Sequence, residues 1–181
     1  MGNHLLEIPK QAKEAIWTKA LELDPTLEAY TVYDYRVGDN TLVGSVMANR
    51  GGAVSFSLFE VGEIEYSYGQ TGYYPDHIVS ANFLLAIKIL TQTTQKDTYS
   101  SIEEAAEARI QDNIDTLAQV VNDLVGQRIL DVPEDGGSPD WSVELSIGSI
   151  SWGNVAEGDE EAANAQWRLG QIILNGSLEV L

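Results

Sequence analysis

Two imidazoles, His4 and His77, are the first places to look for acid–base or nucleophilic chemistry in this chain. Neither has a nucleophile and an orienting carboxylate at a recognisable spacing, and no G-x-S-x-G elbow is present to expose a serine. H-E-x-x-H, which would set two metal ligands and a general base on one helix face, is also absent. The glycine-bearing stretches "SYGQTG" and "NRGGAV" lack both the Lys-Ser/Thr of a phosphate cradle and the spacing of a dinucleotide turn. With no cysteine in the sequence, disulfides and thiolate metal sites are excluded.

Carboxylates remain, in two clusters: Asp131, Glu134, Asp135 and Asp140, then Glu157, Asp159, Glu160 and Glu161. The first lacks the order of oxygens around a fixed glycine that an EF-hand requires. Both read as solvated acidic loops. A glycosidase acid pair is defined by separation in space, which chain spacing does not supply. No catalytic, cofactor or metal-ligating residue is assigned, and an enzyme is the minority reading.

The charge balance is more informative. Twenty-eight acids face ten bases, for a formal charge of −18. Such a surface repels phosphate and argues against gripping a duplex, while suiting either solubility or a wall that DNA slides past. A length of 181 residues, 44% of them hydrophobic, predicts one domain over 1–181 with its own core. The longest apolar run, 83–87, stops at Lys88, far short of the roughly 20 residues of a membrane span. The start "MGNHLLEIPKQAKEAI" has no basic-then-apolar signal pattern, and Leu6 stands where myristoylation prefers Ser or Thr. An untagged soluble protein is expected.

The elements that would position these groups follow from periodicity. Pro9 opens an N-terminal helix over about 9–23, with Ile8, Ala12, Ala15, Ile16, Ala20 and Leu23 at helical spacing. Lys10, Lys13 and Lys19 on this helix form either a solvated face or a basic contact for a neighbouring subunit. From Tyr30 to Gln92 the texture is strand-like: "AYTVYDYRV", a turn at "GDN", then "TLVGSVMA" and "GGAVSFSLFEVGEIEYSYGQTGYY". Tyr66, Tyr68, Tyr73 and Tyr74 crowd around "GQTG", as sheet-edge packing or a recognition surface. "NFLLAIKILTQ" reads as a central strand.

The long helix over about 101–125 has the clearest signals. Ser100 with Glu103, or Ser101 with Glu104, makes a capping box. Ala106, Ile110, Ile114, Leu117, Val121 and Leu124 form one stripe, and Gly126 supplies a left-handed stop. "QRILDV" is a short strand. "WSVELSIGSISW" changes parity at Gly148, which predicts a bulge. The final strand ends "LEVL", an apolar close that something must cover. The predicted class is α+β: a mostly antiparallel sheet packed by the long helix and the N-terminal helix.

The segment "SSIEEAAEARIQDNIDTLAQVVNDLVGQRILDV" resembles the helix and exit strand of the tail terminator proteins of long-tailed bacteriophages. The carriers are the aliphatic stripe opening near Arg109, the L-x-G-x-x pattern and the strand from Ile129 to Val132. "AQWRLGQIILNGSLEVL" is similar to their closing strand, and the likeness spans about the last hundred residues, with the N-terminal helix matching by position. Residues 30–72 are longer than the corresponding region of the simplest members.

The resemblance implies a structural virion protein: a homohexameric ring that ends tail-tube growth and joins the tail to the neck while DNA passes through. Its implied partners are other copies of itself, tail-tube proteins and neck or connector proteins. It implies no specific DNA binding, no cofactor and no membrane, and assembly in the host cytoplasm. Leu178, Val180, Leu181, Lys10 and Lys13 are the candidate subunit-interface residues, and Glu134, Asp135, Glu157, Asp159, Glu160 and Glu161 belong to acidic loops that either face the channel or are simply solvated. Removing 178–181 is then expected to weaken self-association more than folding. The competing readings are another neck or tail-completion protein, a free-standing acidic binding module, and a hydrolase.

Overall fold

The structure is a computed structural model, and it describes residues 4–49, 51–68, 72, 75–130, 137, 140–155 and 165–181. The chain opens with helix α1 (His4–Leu23), and Asp24 then caps a short 3-10 turn at Pro25–Ala29 by accepting from the Thr26 amide at 3.1 Å. Strand β1 (Thr31–Tyr33) leads to helix α2 (Asp39–Asn49) and two long strands, β2 (Gly52–Tyr68) and β3 (Pro75–Thr93). Helix α3 (Ile102–Leu124) follows, then β4 (Ile129–Leu130), β5 (Trp141–Asn154) and β6 (Gln166–Val180). The strands form one sheet in the order β1-β2-β3-β6-β5-β4. Only β1 and β2 pair in parallel; every other neighbouring pair is antiparallel. The class is therefore α+β, as the periodicity predicts.

Alternation divides the sheet into two faces. Val54 and Phe56 of β2, Phe83, Leu85, Ile87 and Ile89 of β3, Ile172, Leu174 and Leu178 of β6, and Trp141, Val143 and Leu145 of β5 share the inner face. α1 and α3 cover it. Ile8, Ala12, Ile16 and Ala20 of α1 and Ile110, Ile114, Leu117 and Val121 of α3 are buried against this surface. α1 begins a turn before Pro9, because Leu5 packs on the core and Ile8 is fully buried, drawing that turn inward.

The ends of α3 obey local chemistry. Ser101 is the N-cap, accepting from the Glu104 amide at 3.1 Å, so the second of the two capping registers forms. The Glu104 carboxylate accepts from the amide and hydroxyl of Ser100, which hold it below the usual carboxylate range. Gly126 has φ of +77°, a conformation in which a Cβ would be strained. The bulge predicted at Gly148 is present as a register shift between Ile147 and Ser149.

The region around residues 34–49 differs from its strand-like texture. Only 31–33 of "AYTVYDYRV" is strand, and "TLVGSVMA" lies within α2. Leu42 and Val46 stand four residues apart, a spacing that serves a helix face as readily as strand alternation. Packing decides: both are fully buried with Ala53 and Leu90, and Trp167 and Leu169 lie against the same cluster on the sheet's outer face. The Tyr33 and Ser45 hydroxyls share a 2.6 Å hydrogen bond, and Asn49 donates to Thr31 Oγ1 and the Gly52 carbonyl at 2.9 Å each.

Candidate functional site

The chemistry-bearing groups converge best at a polar cleft of about 350 Å³ between the end of β3, the 3-10 turn and the first half of α3. Asp24, Thr93, Asp97, Arg109, Asp112 and Asn113 are among its lining residues. Asp97 takes φ of +45°, an uncommon conformation for a residue other than glycine. Tyr30 Oη accepts from Asn113 Nδ2 at 2.9 Å and from Arg109 Nε at 3.3 Å, and the guanidinium carbon lies 6.0 Å from the ring centroid. These bonds fasten α3 to the chain entering β1. The lining residues include no imidazole, and their one cation already serves Tyr30. Among the described residues, no group of three or more His, Asp or Glu side chains is placed to hold a metal. The cleft can take a polar solute, but its best-ordered groups are occupied in holding the fold.

The candidate interface residues separate. Leu178 is 1% exposed and packs in the chain's own core, between Ala81 of β3 and Val143 of β5. The cover that "LEVL" requires is therefore internal, which corrects the assignment of Leu178 to a subunit interface. Val180 is half-buried opposite Trp141, while Leu181 is 59% exposed and its amide donates to the Asp140 carbonyl at 2.9 Å. Lys10 is exposed and lies 3.8 Å from Glu7. Lys13 donates to Asp34 Oδ2 at 2.8 Å, so its charge is matched within the chain. Glu134, Asp135, Glu157, Asp159, Glu160 and Glu161 lie outside the described residues, as do Asp131, Tyr73 and Tyr74.

The Lys13 hydrogen bond, foremost, lowers the Asp34 pKa below its ordinary 3.8. A lowered folded-state pKa means stability present above the ordinary value and lost as pH falls through the folded one. The stability advantage of the native chain over Asp34→Asn is therefore expected above about pH 4 and should fade in more acid solution. Denaturant titrations of both chains at several pH values check this, and a gap that widens on acidification would contradict it.

A surface missed by periodicity alone is the hairpin of β2 and β3. Nineteen residues of β3 make a strand about 60 Å long, and only part of it is covered by helices. From Phe59 outward, β2 has no buried residue and becomes the outer strand of a hairpin arm; β3 stays paired with β6 as far as Ser80, so only 66–68 and 75–79 run past the sheet. Register shifts after Leu58, Val61, Glu65 and Ser67 bend it. The arm exposes Phe59 by 53% and Tyr68 by 60%, with Glu60, Glu63 and Glu65 between them. At the opposite side of the sheet, β5 exposes Ile150 and Trp152 by about 40% each. The Trp152 indole donates to Glu107 Oε1 at 3.2 Å, and the same carboxylate accepts from buried Arg168 at 2.8 Å. The length of the run from 52 to 68 was the available signal for the arm: no ordinary sheet buries a strand of 17 residues throughout.

Compared with known proteins, the chain matches no protein family and no curated relative. Its class rests on its own architecture: an α+β domain with two helices over one face of a mostly antiparallel sheet and an aromatic, acidic outer half of β2 along one edge.

Proposed function

We propose that the protein is a structural virion component, a tail terminator whose copies close into a ring, six by the resemblance. The ring ends growth of the tail tube and joins it to the neck. The observation that carries the reading is the open outer half of β2, whose exposed Phe59 and Tyr68 no described part of the chain covers. Two features support it. The order of helix, β-region, long helix and closing strands is that of the tail-terminator resemblance. A net charge of −18 suits a duct that phosphate passes without sticking. In this reading the neighbours are tail-tube and neck or connector proteins, and the place of action is the virion after assembly in the host cytoplasm.

Native mass spectrometry and negative-stain imaging of the purified full chain test it over a concentration series. A ring of six copies with an open centre is the expected result. A closed ring of another size would favour a different neck or tail-completion part. A monomer at every concentration would remove the ring reading and favour a binding module using the polar cleft.

A further inference from the structure

The sheet ends on two edges that no described strand completes. β1 pairs only with Ala53, Val54 and Ser55 of β2, and β4 only with Ser142 and Val143 of β5. Beyond those positions both outer strands present main-chain amides and carbonyls that no other described strand takes up. The two edges differ in chemistry. From 145 to 154, β5 reads "LSIGSISWGN", without a charge or a proline. Free edges are ordinarily guarded by Lys, Pro or repeated bulges, and this one has a single register shift. The β2 edge carries Glu60, Glu63 and Glu65 and no base from 56 to 68. Two such arms laid side by side would set like charges across from one another. The base of the arm laid on β5 from 145 to 150 would not.

Strand direction makes the same choice. The antiparallel pairings β2–β3, β3–β6 and β6–β5 leave β5 antiparallel to β2. Rotating a copy about an axis along the strands preserves their directions. The β2 edge of one copy then meets the β5 edge of the next in an antiparallel sense, and the free stretches that lie level are 56–61 of β2 and 145–150 of β5. Because the two edges lie on opposite sides of the sheet, the contact is heterologous and repeats around a ring.

We propose that copies of this chain join edge to edge, the β2 arm of one pairing with β5 of the next, so that one sheet continues through the assembly. The occupant, a second copy, rests on the ring reading; the edges and their direction go beyond it. The faces match. Ile64, Tyr66 and Tyr68 of the arm and Ile150 and Trp152 of β5 lie on the helix-bearing side of their strands. Glu60 and Ser146 lie on the other side, and the ladders set them level with one another through Leu84 and Asn175. A rotation about the strand direction keeps that level, so a carboxylate placed on β5 at Ser146 would confront Glu60 of the neighbouring copy.

A charge-swap series on the full chain tests this by sedimentation equilibrium. Ser146→Glu is expected to raise the dissociation constant of assembly by about fivefold or more. Adding Glu60→Lys to that variant is expected to recover most of the loss. Circular dichroism checks that each variant folds. Because the native chain has no cysteine, a second measurement stands apart from folding of the charged variants. Glu60→Cys and Ser146→Cys chains, mixed and treated with a short bismaleimide, should yield the mixed cross-link above either homodimer. A ring indifferent to the charge swaps, or one giving only 146–146 cross-links, would overturn the edge pairing and leave the ring reading standing. A native chain that stays monomeric would overturn both.

Discussion

Removing residues 178–181 should lower the thermal unfolding midpoint by about 10 °C or more, whether or not the protein is assembled. Leu178 is buried between Ala81 and Val143, and losing a core leucine costs about 2–5 kcal/mol. Its backbone stands in the ladder between β3 and β5, so both neighbouring strands would lose partners along buried sheet. Glu179 also pairs with Arg128 at 3.2 Å, and Val180 lies opposite fully buried Trp141. Against a total of about 5–15 kcal/mol for an ordinary domain, the sum is large. Calorimetry of the truncated chain at a concentration that keeps the native chain monomeric checks it. A midpoint within about 3 °C of the native value would return the tail to the role of an exposed interface segment.

Gly176→Ala should be, with Gly52→Ala, among the most costly single methyl additions in the sheet. Gly176 stands directly across from Phe83, and a Cβ built there would enter the Phe83 ring. Phe83 is 3% exposed, so the ring has little room to withdraw. Overpacking of this kind costs about 1–3 kcal/mol, or roughly 5 °C in a chain of this size. The double variant Gly176→Ala with Phe83→Leu should lose less than the two single variants added together, because the smaller side chain vacates the space the methyl needs. Equilibrium denaturation of the four chains measures the coupling, and strict additivity would show that the ring and the glycine are not in conflict.

Both predictions depend on partners far apart along the chain, which marks the limit of what periodicity could reveal. α3 was legible because all its signals are local: Ser101 at its start, a stripe at helical spacing and Gly126 at its end. The same locality revealed β3 as a central strand and Gly148 as the place where β5 changes face. α2 was not legible, since Leu42 and Val46 fit either period and only burial on Ala53 and Leu90 settles them as a helix. Nor was the Tyr30–Asn113–Arg109 cluster, whose members meet only once α3 lies beside the 3-10 turn.

The sequence by itself determined the composition of the surface, the α+β class and the long helix, because charge and short-range periodicity are properties of neighbouring residues. It also showed that "LEVL" must be covered. Only the tertiary structure decided by what: strand order places β6 between β3 and β5, so the chain itself covers Leu178 and leaves Leu181 exposed. The unsatisfied surface is thereby moved to the β2–β3 arm and the β5 edge. Which edges of a sheet remain open depends on the pairing of distant strands, and no local pattern specifies that.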